Sequence, residues 1–423
     1  MDFTNIILDQ RQNLEIVERK SKIIEREKLE ESKKYIKFPN VLVITGIRRC
    51  GKSIFSYLLV KNHKLGYINF DDERLTGLKT EDLNLILESF YRLYGDLDFL
   101  IFDEIQNVPN WELFITRLRQ TKKIILTGSN SNLLSGELAT HLTGRHIDVK
   151  LFPFSFKEFL KFKEFKIQND YSTKEKAEIK NLLDEYLKFG GFPEVYTIGK
   201  EILLSIYEDI LTKDIVLRYK INKIEDLKKL TRYLITNSSK EISYKKLGKI
   251  FNINKVQTIS NWISYLENTF LIFKLEKFDF KLKQQYSSQK KIYCIDTGII
   301  NTLGFLFSKN IGQIIENAVF LHLQRKKTSD IEIYYWKDYF QNEVDFILKQ
   351  STKIIKLFQV SYVSRKEELN EREINSLLKA SEELKCNDLN IITWEYEDKE
   401  KIQTKVVNFI PLWKFLINEM PNL

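Results

Sequence analysis

The sequence predicts a multidomain α/β protein whose main domain is built on a parallel five-stranded sheet. Between residues 41 and 153, apolar strand candidates alternate with helix-like segments, which is the pattern of a parallel sheet with flanking helices. A glycine-containing loop follows the first strand, and two adjacent carboxylates follow the third. The length of 423 residues exceeds one ordinary core, so several domains are expected.

Composition places the chain among folded globular proteins. Hydrophobic residues make up 43% and charged residues 30% of the chain, which argues against disorder. No apolar run approaches the roughly 18 residues of a membrane span, and the opening Met1–Thr4 lacks the basic start of a secretory signal. We therefore expect a cytoplasmic protein without a membrane partner.

Charge and cysteine content leave the partner open. The 67 Lys and Arg residues exceed the 58 Asp and Glu residues, and the net charge of +9 permits a nucleic-acid partner without requiring one. Cys50, Cys294 and Cys386 are odd in number, widely spaced and without nearby histidines. Neither a disulfide framework nor a zinc site is therefore expected.

Residues 1–38 are expected to form one or two amphipathic helices. Apolar residues recur at helix-like intervals from about Asn5 to Lys37. Acidic and basic residues interleave there, which favours a solvated helix face over a nucleic-acid-binding arm.

A phosphate-binding loop is the strongest motif in the chain. The segment Gly46–Ser53 fits G-x-x-x-x-G-K-[ST] and lies between the apolar strand Val41–Thr45 and a helix from about Lys52 to Val60. Its glycines let backbone N–H groups face a polyphosphate, its lysine reaches the β- and γ-phosphates, and its serine hydroxyl binds Mg²⁺. We expect the following residues to bind ATP: Gly46, Arg48, Arg49, Cys50, Gly51, Lys52 and Ser53.

Two carboxylates are expected to complete the ATP site. The strand Phe99–Phe102 ends in Asp103 and Glu104, at the edge where open α/β sheets bind ligands. Asp103 is expected to hold Mg²⁺, directly or through water, and Glu104 to polarise the attacking water. Because the strand Leu65–Phe70 separates this pair from the phosphate loop in the sequence, one more strand can lie between their two strands in space.

The last two strands of the sheet add further catalytic candidates. Ser129 or Asn130, after the strand Lys123–Thr127, could orient the water, and turn chemistry is the alternative. Arg145 precedes the strand His146–Leu151 and could stabilise the transferring phosphoryl group, in its own subunit or across an interface. A surface salt bridge is the alternative for this arginine.

Residues 156–237 are expected to be helical and could form a lid over the nucleotide. The segment Phe189-Gly190-Gly191-Phe192-Pro193 interrupts this helical region near its middle.

Residues 238–285 predict a winged helix. Ile242–Phe251 reads as a short helix, Lys255–Asn268 as a second helix after a turn, and Phe270–Phe278 as a strand. If this domain reads DNA, four polar side chains would face the groove: Lys255, Gln257, Thr258 and Asn261. Three apolar side chains would pack inward: Ile259, Trp262 and Leu266. A plain protein-contact role is the alternative.

Residues 286–423 return to α/β alternation. Strand candidates are Lys290–Ile295, Glu332–Trp336, Glu343–Lys349, Lys353–Val360, Asn390–Trp394 and Lys405–Phe409, with helices near Gln313–Gln324 and Lys366–Leu384. A metal-dependent nuclease of the restriction-enzyme type brings together a helix Glu, a strand Asp and a strand E-x-K. Here Glu316 and Asp345 match the first two, while Gln359 and Ser361 replace the last pair. Glu316, Asp345 and Gln359 could hold a divalent metal loosely, and cleavage without the lysine should be slow.

These motifs together resemble those of a prokaryotic, mostly archaeal, family of AAA+-type P-loop ATPases with a winged helix and a C-terminal restriction-endonuclease-like domain. The matching segments cover nearly the whole chain: Gly46–Ser53, Asp103-Glu104, Thr127-Gly128-Ser129, Gly144-Arg145, Pro153-Phe154-Ser155-Phe156, Glu316-Asn317 and Glu343-Val344-Asp345. The chain departs from the family pattern at Gln359 and Ser361. The resemblance implies an architecture more than a biological role.

The sequence thus predicts Mg²⁺-dependent ATP binding and hydrolysis coupled to a nucleic-acid-associated or regulatory action. The alternatives are an ATP-dependent DNA nuclease and a slow ATPase switch that contacts other proteins. A DNA partner and a homo-oligomer are left open. The expected domains are residues 1–38 (N-terminal helices), 39–155 (ATPase core), 156–237 (helical lid), 238–285 (winged helix) and 286–423 (restriction-endonuclease-like domain).

Overall fold

The computed structural model describes residues 2–134, 142, 144–304 and 311–418, and the chain forms two compact units. The first unit consists of Met1–Phe154, Lys161–Phe165 and Asn268–Phe270. The second unit consists of Ser155–Leu160, Lys166–Glu267 and Leu271–Leu423. No helix among the described residues is long and apolar enough to span a bilayer.

The first unit is a five-stranded parallel sheet with helices between the strands. Its strands are β1 (Val41–Thr45), β2 (Leu65–Asn69), β3 (Phe99–Asp103), β4 (Lys123–Gly128) and β5 (His146–Lys150). Its helices are α1 (Thr4–Lys20), α2 (Leu29–Tyr35), α3 (Lys52–Val60), α4 (Asp82–Tyr94) and α5 (Trp111–Leu118), with short 3₁₀ turns at Glu73–Leu75, Ile105–Asn107 and Ser131–Leu134. The spatial order is β2-β3-β4-β1-β5, which confirms the predicted parallel sheet and places β4 between the strands of the two nucleotide motifs.

The central strands are buried and mostly apolar because both faces of this sheet are covered. Every residue of β1 and β3 is buried, as expected for a parallel sheet with helices on its faces. Phe3 and Ile7, at the start of the chain, belong to the same core. Gln10 also binds both the backbone N–H and C=O of Asn69 at the end of β2. The first helix therefore packs into the sheet unit.

The second unit begins with the helical region that the sequence predicts. Its elements are α6 (Phe156–Phe162), α7 (Thr173–Phe189), α8 (Val195–Ile198), α9 (Ile202–Asp209), a π-helix (Ile210–Leu217) and α10 (Ile224–Thr236). The double glycine after α7 has a packing reason. The Gly191 N–H donates to Asp296 at 2.6 Å, and a Cβ on Gly190 would lie 2.0 Å from the same carboxylate, so only glycine fits there.

A small antiparallel sheet with two helices follows. Its elements are β6 (Glu241–Ile242), α11 (Tyr244–Ile250), α12 (Val256–Asn268), β7 (Ile272–Leu275), α13 (Leu282–Ser287) and β8 (Lys290–Cys294). The two predicted helices are present as α11 and α12, and Ile259, Trp262 and Leu266 are buried as expected. Strand β8 differs from the expectation, because it pairs with β6 and β7 and not with the C-terminal sheet.

The C-terminal part of the second unit is a six-stranded mixed sheet with helices. Its strands are β9 (Ile331–Lys337), β10 (Glu343–Gln350), β11 (Lys353–Val360), β12 (Leu389–Thr393), β13 (Asp398–Ile402) and β14 (Lys405–Pro411), in the order β13-β14-β12-β11-β10-β9. Its helices are α14 (Thr297–Leu303), α15 (Ile311–Lys326), α16 (Glu371–Leu384) and α17 (Leu412–Ile417). The sequence analysis missed β13, which is polar and largely exposed and so lacks an apolar pattern.

Candidate functional sites

The phosphate loop turns between β1 and α3 at two glycines that cannot be replaced without distortion. A Cβ on Gly46 would lie 2.1 Å from the carbonyl oxygen of Leu151, far inside van der Waals contact. Gly51, the residue before α3, has a φ of 98°, which L side chains rarely adopt. The loop backbone can therefore curl closely, as a phosphate cradle requires.

Arg26 stabilises this loop through hydrogen bonds to two backbone carbonyl oxygens. Its guanidinium is buried and donates to the carbonyl oxygens of Cys50, at 2.9 Å, and Phe152, at 2.5 Å. The Cys50 thiol is also buried, 3.5 Å from the carbonyl oxygen of Leu151, and burial raises its pKa. The thiol is thus a neutral packing group, so any ligand contact from Cys50 has to come from its backbone.

The two arginines of the loop differ in their surroundings. Arg48 is partly buried and forms an ion pair of 2.9 Å with Asp71, two residues after β2. Arg49 is exposed, with a φ of 63°. Arg48 is therefore anchored beside the loop, whereas the Arg49 side chain faces solvent.

Asp103 is buried at the end of β3 among hydroxyl groups. The Tyr67 hydroxyl donates to it at 2.7 Å, and the hydroxyls of Thr127 and Ser53 also hydrogen-bond to it. Burial, together with the adjacent Glu104 charge, raises the pKa of Asp103. The expected metal ligands Ser53 and Asp103 are therefore already in contact.

Glu104 has the opposite electrostatic environment. Its carboxylate accepts from the Ser129 N–H at 3.0 Å and from Gln106, and it lies 3.4 Å from the Lys52 ammonium. Burial opposes ionisation, but the lysine charge and these donors outweigh it and lower the pKa of Glu104. Glu104 is therefore the ionised carboxylate of this pair, whereas the neighbouring Asp103 has a raised pKa. Such a difference in pKa assigns the role of base to one carboxylate of a pair.

The structure brings five of the predicted residues to one edge of the sheet. Because β1, β4 and β3 are adjacent and parallel, the segments that follow them meet at their carboxyl ends. The assembled residues are Lys52, Ser53, Asp103, Glu104 and Ser129. Sequence reasoning did not find Tyr67 or Arg26, whose partners lie in other elements, or Gln106, which contacts Glu104 two residues before it.

Arg145 lies at the other end of the sheet. Its carbonyl oxygen accepts from the Val41 N–H at 3.0 Å, where β1 begins, while the phosphate loop follows the last residue of β1. The length of β1 separates the two by about 13 Å of strand. The exposed Arg145 side chain therefore does not reach the phosphate loop of its own subunit, which excludes one of the two predicted roles.

In the second unit, Glu316 and Asp345, two of the expected metal ligands, both contact the same lysine. The Lys291 ammonium is buried and lies 2.9 Å from Glu316, 2.7 Å from Glu343 and 3.2 Å from Asp345. Tyr293 donates to Glu316 at 2.7 Å. Burial raises the pKa of Glu316 to about 7, despite the opposing effect of Lys291. We call these five residues the Lys291 cluster.

The remaining residues of the predicted metal site border this cluster. The Gln359 amide donates to Asp345 at 2.8 Å, and its carbonyl oxygen is buried without a hydrogen-bond partner among the described residues. Ser361 contacts Glu373. Among the described residues, no group of three or more acidic, histidine or cysteine side chains is arranged to hold a metal ion. The signal that could have found Lys291 is its spacing of two from Tyr293, which puts both on one strand face.

The polar residues predicted to face DNA lie on the outer side of α12 and at the position just before it. Lys255, Gln257 and Asn261 are exposed and Thr258 is partly exposed. The Gln257 amide donates to Asn261 at 2.8 Å. The four residues therefore form one accessible polar face.

Three family models match successive parts of this chain. Residues 39–160 match the family model described as an AAA domain, residues 180–310 a domain of unknown function (DUF8612), and residues 311–415 another one (DUF4143). Among solved structures, the Walker-type ATPase PABY2304 of Pyrococcus abyssi aligns with a TM-score of 0.44 and 14% identity, over 66% of this chain and 96% of that one.

Two relatives align over most of their length. The chain is 39% identical to the uncharacterized protein MJ1544 of Methanocaldococcus jannaschii, over 98% of this chain and 94% of that protein. It is 30% identical to an uncharacterized protein of Haemophilus influenzae, over 88% of this chain and 94% of that protein. The resemblance predicted from the motifs is thereby confirmed. The chain belongs to the family of P-loop ATPases that includes MJ1544 and joins an AAA domain to a C-terminal DUF4143 domain.

Proposed function

We propose that this protein binds ATP with Mg²⁺ and hydrolyses it at the carboxyl edge of the parallel sheet. One observation supports this most directly: Lys52 contacts Glu104, and Ser53 contacts Asp103, across strands that are far apart in the sequence. ATP hydrolysis needs a lysine that binds the phosphates, a hydroxyl and a carboxylate that bind the metal, and an ionised carboxylate that polarises the water.

The residues present fit both ligands. Gly46 packs against the Leu151 backbone with no room for a side chain, which keeps the loop in its tight turn, and Ser53 with Asp103 offers the oxygen donors that Mg²⁺ prefers. Bound Mg²⁺ would neutralise charge on the phosphate oxygens. Lys52 would bind the β- and γ-phosphates, and the Ser129 N–H would keep the Glu104 carboxylate aimed where it can accept a proton from water.

Two substitutions separate binding from hydrolysis. Lys52→Ala should lose ATP binding, because the phosphates lose their cation. Glu104→Gln should retain binding and lose at least about 10²-fold in turnover, the lower range for general-base catalysis. Nucleotide binding by fluorescence and phosphate release measure the two effects. Glu88→Gln, an exposed residue of α4, is the matched control and should behave as wild type. Normal turnover in Glu104→Gln would remove this residue from the mechanism.

We further propose that hydrolysis is coupled to a nucleic acid through a winged helix formed by α11, α12 and the small sheet. The exposed polar face of α12 and the net charge of +9 support this partner. Affinity for DNA should fall steeply as salt rises, because phosphate contacts release counterions. The pair Lys249→Glu with Lys255→Glu should weaken binding. Unchanged affinity would favour a slow ATPase switch that contacts proteins.

The C-terminal domain, by this proposal, is not an efficient nuclease. The Lys291 ammonium lies where a divalent cation would have to contact Glu316 and Asp345, and it already neutralises part of their charge. Incubation of supercoiled plasmid with Mn²⁺ and ATP tests this directly. Cleavage that requires ATP and is shown by the wild type but not by Asp345→Ala would establish the ATP-dependent nuclease instead.

A further inference from the structure

A polar cleft of about 500 Å³ lies beside helix α12. One wall is the segment 219–223, which joins the π-helix to α10. The other wall is the turn before α12 and the first turns of that helix, residues 252–265. The cleft is thus formed entirely within the second unit, and its volume lies in the range of small-ligand pockets.

The cleft is positively charged. Lys220, Lys223 and Lys255 line it, and none of its lining residues, all of which the structure describes, is acidic. No ion pair is formed by these three lysines among the described residues. Nearby lysines on neighbouring elements are neutralised, as in the pairs Lys213 with Asp209 and Lys228 with Glu208. A concave site with unneutralised charge of one sign concentrates counter-ions, here anions.

The remaining lining groups suit a nucleobase. Tyr219 and Tyr265 stack with centroids 3.7 Å apart and planes 8° from parallel, which makes a rigid aromatic surface. Bases stack on such surfaces whatever their identity. Four side-chain amides also line the cleft: Asn222, Asn252, Asn254 and Asn261. An amide offers a donor and an acceptor together and can pair with a base edge.

We propose that this cleft binds one unpaired nucleotide, with its phosphate on the lysines and its base against the amides and the tyrosine pair. In a duplex the Watson–Crick edge and both ring faces of a base are covered, so only an unpaired nucleotide can present phosphate, base edge and ring face to one cleft. The inference rests on the proposed nucleic-acid contact of α12, because Lys255, Thr258 and Asn261 also line the cleft. It adds that the preferred ligand is single-stranded.

Binding of three probes to the full-length protein tests the proposal: a labelled mixed-sequence 20-mer, the same sequence as a duplex, and thymidine monophosphate as competitor. Thymidine monophosphate lacks the β- and γ-phosphates that Lys52 would bind. We expect the single strand to bind at least about tenfold tighter than the duplex. The double variant Lys220→Ala with Lys223→Ala should lose about tenfold in single-strand affinity.

The controls distinguish this inference from the wider proposal. Lys229→Ala, an exposed lysine of α10 that does not line the cleft, should retain single-strand affinity, and thermal melting checks that each variant is folded. Equal affinity for both DNA forms would overturn the proposed nucleotide site in the cleft, and so would a double variant that behaves like Lys229→Ala. Neither result would affect the proposal that α12 binds duplex DNA. Direct binding of thymidine monophosphate, measured by calorimetry and lost in the double variant, without any strand binding would support the cleft and overturn the nucleic-acid coupling.

Discussion

At the scale of single residues, Asp103 and Glu104 show how neighbours in the chain acquire different chemistry. Asp103 is surrounded by hydroxyl groups in a buried position, whereas Glu104 takes a left-handed backbone conformation, φ 54°, that turns its carboxylate toward Lys52 and the Ser129 N–H. The pKa of the first is raised and that of the second is lowered. The backbone turn at Glu104 therefore separates the proposed metal ligand from the proposed base.

The glycine at the start of the phosphate loop provides a residue-scale prediction. Gly46→Ala should weaken ATP binding strongly and lower the melting temperature, because its Cβ would press on the backbone oxygen of Leu151. Gly77→Ala is a matched control, since Gly77 has a φ of 82° but no atom within 4 Å of its Cβ position. The control should lose only about 1–2 kcal/mol of stability and no nucleotide affinity. Equal effects of the two substitutions would mean that close approach at Gly46 is unimportant.

The raised pKa of Glu316 predicts a pH dependence of stability. Its pKa is about 7 in the folded protein and near the ordinary 4.5 when unfolded, so the folded state binds this proton more tightly. The resulting stabilisation is complete below pH 4.5 and is lost as pH rises through 7. Urea unfolding at pH 5 and pH 8 should show a smaller difference in Glu316→Gln than in the wild type. Asp296, with a pKa of about 6, also lowers the stability between pH 5 and pH 8, and it does so equally in both proteins. If the stability difference between pH 5 and pH 8 were the same in Glu316→Gln and the wild type, the role of Glu316 would be contradicted.

At the scale of elements, strand β8 connects two parts of the second unit. Its backbone pairs with β6 and β7, and the Cys294 N–H and C=O both bind the Asn317 amide of α15. On the same strand, Lys291 reaches Glu316 of α15 and two carboxylates of β10. The Lys291 cluster therefore ties a strand of the small sheet to the C-terminal sheet domain.

Removal of the lysine tests this connection. Lys291→Met should destabilise the protein by up to about 3–5 kcal/mol, because the buried Asp345 and the partly buried Glu316 and Glu343 lose their counter-charge. Mn²⁺ should restore part of that stability in the variant, because three carboxylates without a counter-charge attract a divalent cation, and should not affect the wild type. Lys283→Met, an exposed lysine of α13, is the control. Urea unfolding with and without Mn²⁺ measures both effects, and a variant as stable as the control would rule out the ionic role.

At the scale of the whole molecule, Arg145 raises the question of assembly. The residue is exposed at the amino-terminal edge of the parallel sheet, about 13 Å of strand away from the phosphate loop that follows β1. If it takes part in hydrolysis, it has to act on the nucleotide of another copy of the chain. The alternative prediction, a surface residue, requires no assembly.

Subunit mixing decides between these alternatives. Arg145→Ala retains an intact phosphate loop but lacks the arginine, while Lys52→Ala retains the arginine but lacks nucleotide binding. Action between subunits predicts that each variant alone is inactive and that an equimolar mixture regains part of the wild-type turnover. The rate per protomer should also rise with protein concentration. Full activity of Arg145→Ala alone would show that the arginine is not catalytic.

Contiguous sequence determined the parallel sheet, the phosphate loop and the carboxylates at the end of β3. Each of these is encoded locally: apolar runs define the strands, and the loop chemistry lies within the eight residues from Gly46 to Ser53. The outward face of α12 was likewise predictable from helical spacing, and its burial pattern agrees. Local patterns suffice there because the residues that act together are neighbours in the chain or on one helix face.

Only the tertiary structure decided which distant groups meet. The partner strands of β8 could not be read from its apolar pattern, since that pattern fits any sheet. Lys291 lies 54 positions before Asp345, yet its ammonium lies 3.2 Å from that carboxylate. Arg145 is close to the ATPase motifs in sequence and far from them in the sheet, because β5 runs parallel to β1 and begins at the opposite edge. Packing between elements sets these distances, and no local sequence pattern specifies it.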